Sequence, residues 1–275
     1  MLASDKMVDA FLLKLILSFL VGGIWVAFAT VLAEKFGTKL GGVIAGLPST
    51  ILLGLFFIGW TQTPSIAAQS AGIVPLAMGI YCLFIVAYIL LYKLSFYLAI
   101  SASTAIWLIL TLSFVLLNLT SLVHSLTIFA VLLVFSYYIL EKKLCIKSEN
   151  KIYVRYTLPK LLFRGIISGT IVAFAAIMAK IGGPLLGGIF ASFPAVSLST
   201  MAITHFAYGK SLKESYSPAF MKVHMVSGAI NVSIYAVAVR YSYEYFGLVY
   251  GTLISFGISL VSAYFVYLFV NKKMN

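Results

Sequence analysis

The chain has 275 residues, of which 62% are hydrophobic and 9% charged, with a net charge of +12. Soluble domains carry about 25% charged residues, so this composition excludes a water-soluble globular fold. Apolar runs of about 20 residues recur from end to end, each long enough to cross a bilayer as a helix.

The chain therefore reads as an all-α polytopic membrane protein whose expected partner is the lipid bilayer. In a soluble protein the positive balance would point to nucleic acid. Here the basic residues are read as topology signals, and no nucleic-acid partner is expected. The two cysteines, Cys82 in an apolar run and Cys145 in a basic linker, suggest no disulfide framework. No metal-ligand spacing and no cofactor motif occurs.

Nine helices are predicted, near residues 12–33, 39–60, 66–91, 95–117, 121–140, 158–179, 185–208, 217–239 and 247–270. The apolar run from Leu15 to Ala33 exceeds a signal-peptide core of about 7–15 residues, so the first helix is assigned to the fold. The fourth and fifth helices are divided at Leu117–Ser121. The only long polar stretch runs from about Glu141 to Lys160.

With nine spans the basic residues sort by side. Lys35, Lys39, Lys93, Lys142, Lys143, Lys147, Lys151, Arg155, Lys160 and Arg164 fall on one side, with Lys210, Lys213, Lys222, Lys272 and Lys273. The other side keeps Lys6, Lys14, Lys180 and Arg240. The positive-inside rule then puts the N-terminus outside and the C-terminus in the cytoplasm of a multi-pass cell-membrane protein.

The phrase Gly-Gly-x-x-Ala-x-x-Pro occurs twice, at Gly41–Pro48 and Gly187–Pro194, an offset of 146. At that offset Leu12, Lys14 and Leu15 match Leu158, Lys160 and Leu161, and Gly23 matches Gly169. Val26–Ala29 matches Val172–Ala175, and Leu40–Gly42 matches Leu186–Gly188. Coincident glycine, proline and lysine positions go beyond shared hydrophobicity. The chain divides into a four-helix repeat (1–118), a linking helix and basic loop (119–157), and a second four-helix repeat (158–275). Five crossings separate the two starts, so the repeats are inverted, a 4+1+4 arrangement widespread among secondary transporters.

Each proline lies about ten residues into its helix, near mid-membrane. Proline removes a helix hydrogen bond and clashes with the preceding turn, and it pushes Leu47 and Phe193 away from helical geometry. Gly46 adds freedom at the same point. Paired Gly/Pro-interrupted segments in corresponding places are the best sequence pointer to a transporter site. The candidate substrate residues are therefore Gly46, Pro48, Ser49, Thr50, Ser192, Pro194, Ser197, Ser199 and Thr200. His224, Ser227 and Asn231 share one face of the eighth helix, and His224 and Asn231 join the candidates. Gly41, Gly42, Gly187 and Gly188 suit close helix packing, and that reading alone also accounts for both phrases.

The acids Asp5, Asp9, Glu34, Glu141, Glu149, Glu214 and Glu244 fall at termini, loops or span ends, which disfavours a carboxylate proton relay. No phosphate loop or hydrolase motif occurs, so no enzyme and no ATP-driven pump is expected. His124 and His205 are read as interfacial. Tyr137, Tyr138, Tyr241, Tyr243 and Tyr245 are read as interface anchors.

The doubled phrase resembles the GlpM-like group of small four-helix membrane proteins. The likeness rests on Gly41, Gly42, Ala45 and Pro48, and on Gly187, Gly188, Ala191 and Pro194. It implies a four-helix unit in the cell membrane and no particular substrate. The leading expectation is a secondary transporter or facilitator for a small polar or anionic solute. The alternatives are a non-transporting scaffold or accessory subunit and, further off, a channel.

Overall fold

The computed structural model describes residues 2–34, 36–117, 120–146, 157–207 and 210–274. The side chains of Asp5, Asp9, Glu34, Glu149 and Glu214 lie outside the described residues. So do those of Lys6, Lys35, Lys147, Lys151, Arg155, Lys210 and Lys213. Ten α-helices form among the described residues, with no strand. They are α1 (Leu2–Glu34), α2 (Gly37–Ala45), α3 (Ser49–Thr61), α4 (Pro64–Ala71), α5 (Val74–Tyr92), α6 (Phe96–Leu116), α7 (Leu122–Tyr138), α8 (Leu158–Ala191), α9 (Ala195–Ala207) and α10 (Lys210–Lys273).

Seven segments among the described residues are long and apolar enough to cross a membrane, and 195–206 adds a shorter apolar helix. Many outward side chains are apolar and exposed, such as Ile24, Val123, Leu253 and Tyr250. A water-soluble monomer rarely leaves so much apolar surface uncovered, so this exterior suits lipid.

Two of the long helices change direction inside. Gly183 has φ 78° and ψ −177°, and Gly247 has φ 70° and ψ −172°. That region is essentially open to glycine alone. Beyond Gly183 the chain doubles back, since a Cβ on Gly187 would lie 2.5 Å from that of Ala179. The first half makes the same hairpin, where a Cβ on Gly41 would lie 2.7 Å from the Ala33 carbonyl oxygen. These two pairs are related by the offset of 146.

The predicted helix at 66–91 is two helices. Pro75 lacks an N–H and crowds the carbonyl of Ala71 four residues back, and the chain breaks at Gly72–Ile73. Thr63 caps α4 by accepting the Ile66 N–H at 3.2 Å, with Pro64 in the first turn. Between the fourth and fifth predicted helices, Ser121 caps α7 by accepting the His124 N–H at 3.3 Å. At its other end α7 runs into a π-helical turn, Ile139–Lys143.

Helices α1 and α8 cross through glycine. A Cβ on Gly23 would lie 2.8 Å from the Gly165 oxygen, and one on Gly169 would lie 2.3 Å from the Phe19 oxygen. Near the other end of α1 the Lys14 ammonium donates to the Trp60 carbonyl at 2.6 Å. Lys180 lies over the Phe11 ring at 3.6 Å. The remaining buried core centres on α3, α5 and α10, with Leu55, Ile58, Ile80, Phe84 and Tyr88 fully enclosed.

Candidate functional site

Both doubled phrases interrupt their helices, and they do so in the same way. Gly46 N–H is shared between the Gly42 and Val43 carbonyls at 3.0 and 3.1 Å, and Leu47 N–H reaches Ile44 at 3.1 Å. Ser49 N–H then turns back to Leu47 at 2.7 Å, and Leu52 N–H restarts a helix on Pro48 at 2.8 Å. In the second phrase Ser192 N–H is shared between Gly188 and Ile189 at 3.1 and 3.0 Å, and Phe193 reaches Phe190 at 3.1 Å. Ala195 turns back to Phe193 at 2.7 Å, and Leu198 restarts on Pro194 at 2.9 Å. Each bond of the first set has its counterpart 146 residues on.

The cause is local. Neither proline can donate, and each forces its predecessor out of helical geometry. Gly46 and Ser192 end the first half-helices with φ −81° and −88° and ψ near zero. Ser192 also folds its hydroxyl onto the Gly188 carbonyl at 2.7 Å. Gly46 has no room for a side chain, because a Cβ there would lie 2.6 Å from the Gly228 nitrogen.

The four half-helix ends meet at one cavity of about 70 Å³. At roughly 10–15 Å³ for one water, it holds several waters or one small solute. Gly46, Pro48, Ser49 and Thr50 line it from the first phrase, and Ser192, Pro194 and Ser197 from the second. His224, Gly228 and Val232 of α10 and Met78 and Tyr81 of α5 complete the wall. Helices α3 and α9 point their N-terminal ends at it. Pro48 gives α3 no side-chain cap, and Ser49 N–H is held by the Leu47 carbonyl, so the start of α3 carries only the partial positive charge of a helix N-terminus.

Polar groups at the cavity are partly engaged. Ser197 Oγ sits 2.8 Å from the Tyr81 hydroxyl and 3.1 Å from His224 Nε2. His224 Nδ1, near the Gly42 backbone, has no partner of hydrogen-bond geometry among the described residues. Thr50 Oγ1 is buried and likewise unpartnered there. Buried polar atoms without partners are unusual, and both belong to residues that line the cavity. Among the described residues no acidic side chain lines it.

A family model described as Protein of unknown function (DUF3147) matches residues 15–120 and again residues 161–272. The chain belongs to this family. The two DUF3147 regions begin 146 residues apart, the offset that relates Pro48 to Pro194, so the family match and the backbone geometry agree on a two-part repeat. The match brings no link to the GlpM-like group. No curated protein and no solved structure matches the chain.

Not every candidate reaches the cavity of this DUF3147 protein. Ser199 and Thr200 turn their hydroxyls onto the Val196 carbonyl at 3.0 and 2.7 Å. Asn231 is buried between turns of α10, donating to Ser227 at 3.0 Å and accepting from Ser262 at 2.9 Å. It joins the two arms of α10 on either side of Gly247 and does not line the cavity. Of the four packing glycines, Gly42 presses on Val223, Gly188 on the Ser70 carbonyl, and Gly41 and Gly187 close their hairpins.

His224 is 5% exposed and lines the cavity. Tyr243 is buried and bonded to Thr252 at 2.7 Å, so it is no interface anchor. His205 stacks on Phe96 at 3.8 Å and faces the Tyr92 hydroxyl at 3.2 Å.

Two residues were missed from the candidate set. Tyr81 sits on a uniformly apolar helix with no local signal. Arg164, grouped with the loop cations, is 3% exposed and donates through Nη2 to the Val196 carbonyl at 3.3 Å. Val196 lines the cavity, so the guanidinium stands just behind its wall, within electrostatic reach of His224. Its one sequence signal is that its counterpart at the repeat offset is Ser18.

Proposed function

We propose that this protein is a secondary transporter or facilitator for a small polar or anionic solute, bound between the two interrupted helices. It has no enzymatic role in this reading. The supporting observation is the convergence of four half-helix ends on one cavity lined by Ser49, Thr50, Ser192, Ser197, Tyr81 and His224. Discontinuous helices meeting at a repeat interface are the usual construction of such sites.

The reading takes the chain through the cell membrane nine times, with the direction changes at Gly183 and Gly247 each dividing two spans. The repeats at 1–118 and 158–275 are inverted, joined by the segment at 119–157, with the N-terminus outside and the C-terminus cytoplasmic. The GlpM-like likeness enters only as a resemblance of the four-helix unit. Alternating access is rocking of one bundle against the other about the Gly23–Gly165 crossing.

The glycine contacts at Gly42 and Gly188 favour a second reading, a scaffold or accessory subunit held by small-residue packing. That reading gives no role to the cavity. The two separate by access. In a Cys82→Ala, Cys145→Ser background, Ser49→Cys is reconstituted and exposed to a membrane-impermeant thiol reagent added to either face. A transporter or facilitator is labelled from both faces; a scaffold is labelled from neither or from one alone.

A further inference from the structure

A second hollow lies on the outside of the bundle, between α7 and the two arms of α10 on either side of Gly247. It measures about 550 Å³. Helix α7 contributes Leu126 and Phe129, the arm before Gly247 contributes Ile234, Ala238 and Tyr241, and the arm after it Ile258. Its two serines do not make it polar. Ser242 turns its hydroxyl to the Gly251 carbonyl at 3.1 Å and Ser255 Oγ at 2.7 Å, and Ser233 is 2% exposed.

The groove exists because the linking helix leans on one repeat. A Cβ on Gly79 of α5 would lie 2.9 Å from the Phe129 Cα, so α7 packs backbone to backbone against the first repeat. No described glycine of α10 meets α7 in that way, and a gap is left on the second side.

We propose that this groove holds one acyl chain of a phospholipid from the adjoining leaflet, and that the lipid's headgroup carries both a phosphate and a free ammonium. The proposal rests on the chain spanning the bilayer and not on the transport reading. Length and width select the occupant. From Ser233 to Phe246 the groove follows thirteen residues of helix, about 20 Å at 1.5 Å each. One leaflet of hydrocarbon is about 15 Å deep, so the groove runs from the interface to the bilayer centre. A volume of about 550 Å³ over that length leaves a mean section of about 27 Å². A helix about 10–12 Å across needs about three times that section, so a helix of a second copy does not enter. A single hydrocarbon chain does, and a polar solute finds no partner there.

The headgroup follows from the groove's end. Tyr241 and Tyr245 stand there, 53% and 79% exposed, as tyrosines do at headgroup level. On the same turns Arg240 and Glu244 form a partly exposed ion pair at 2.5 Å. An exposed pair of this kind opens at little cost. The guanidinium then meets a phosphate and the carboxylate an ammonium.

The test uses the full chain in maltoside micelles at fixed pH and ionic strength. The probe is phosphatidylethanolamine with a photoreactive diazirine in one acyl chain, and adducts are mapped by peptide mass spectrometry. Adducts at Ile234, Ala238 and Tyr241 are expected to saturate and to be competed by unlabelled phosphatidylethanolamine. The anionic phosphatidylglycerol should compete several-fold less well. Adducts at Val131 and Phe265, which are exposed elsewhere on the exterior, should rise without saturation. Ala238→Trp fills the groove and should lower the saturable adducts about tenfold, a loss of about 1.4 kcal/mol in binding. If that variant does not fold, Ile258→Trp at an exposed position decides. Arg240→Gln with Glu244→Gln should keep the adducts and abolish the preference between the two lipids.

Adducts spread evenly over the exterior, or equal at Ala238 in the parent and in the filled variant, overturn the proposal. So does an Ala238→Cys variant that cross-links to a second copy, and so does equal competition by the two lipids in the parent. Retention of the chain in carbonate-washed membranes tests the spanning itself and is scored apart from any adduct.

Discussion

Gly23 and Gly165 meet back to back, with a Cβ on Gly23 falling 2.8 Å from the Gly165 oxygen. Moving Gly23 forward and Gly165 back by the repeat offset gives Gly169 and Phe19, which are also in contact. The crossing of α1 and α8 thus carries the same contact twice, once in each direction, as a pseudo-two-fold axis through the crossing requires. Small residues let the backbones approach this closely where no hydrophobic effect drives helices together. Gly169→Ala places a methyl 2.3 Å from the Phe19 oxygen, and backbone cannot step aside. Overpacking of this kind costs about 1–3 kcal/mol or more. Thermal unfolding in detergent should show the loss, with Gly257→Ala, where nothing lies within 4 Å, as the silent control.

Gly183 and Gly247 make the opposite case. A Cβ at either would touch nothing within 4 Å, yet both adopt positive φ. Alanine there is strained by its own backbone, at about 1–3 kcal/mol for each. Gly183→Ala and Gly247→Ala should each lower the thermal midpoint in spite of the open space. A midpoint equal to that of the parent would mean the two hairpins turn by another route.

Lys222 is fully enclosed on α10 and reaches Glu141 at 2.9 Å and the Ile146 carbonyl just beyond the π-helical turn that follows α7. The contact fastens the segment after the first repeat to the second. Removing one partner of a buried pair leaves the other charge uncompensated, at about 3–5 kcal/mol, whereas replacing both is often neutral. Lys222→Met alone should therefore destabilise strongly, and Lys222→Met with Glu141→Gln should recover most of the loss. Chemical denaturation of the four proteins closes the cycle.

The interruptions at Pro48 and Pro194 are legible in the sequence because their cause is local. A missing N–H and a clash with the preceding turn need no knowledge of the fold. The hairpins closed by Gly41 and Gly187 are legible for the same reason, since the repeat fixes both at once. Which side chains turn inward is a different matter. Asn231 looked like a site residue because it shares a face with His224, but seven residues along a helix carry it about 10 Å away, to Ser259 and Ser262. Tyr81 and Arg164 carry no local mark, and their roles come from what α9 brings against them. The break at Gly72–Ile73 was overlooked although Pro75 announces it, because the apolar run through it is unbroken.

The charge arrangement makes a prediction about sidedness. Lys14 and Lys180 anchor to Trp60 and Phe11 at one end of the bundle, while Lys222, Glu141, Lys142 and Lys143 stand at the other. The positive-inside rule assigns the second end to the cytoplasm. A reporter active only in the cytoplasm should work when fused after Asn275 and fail when placed before Met1. The reverse pattern would turn the whole assignment over.

Proline is what holds the cavity open in this account. Leucine at position 48 restores a donor that can reach the Ile44 carbonyl and removes the ring that crowds it. The change draws Ser49 and Thr50 into a continuous helix and removes the separate N-terminal end of α3. Pro194→Leu does the same for α9 and moves Ser197 away from Tyr81 and His224. The double variant should therefore fold, because it relieves two interruptions, and should lose access. Labelling of Ser49→Cys should slow at least about tenfold, which needs only about 1.4 kcal/mol of bias toward the closed helix. Equal labelling in the parent and in the Pro48→Leu, Pro194→Leu variant would mean that the cavity is shaped by the glycine contacts at Gly42, Gly46 and Gly188. The prolines would then only mark where it lies.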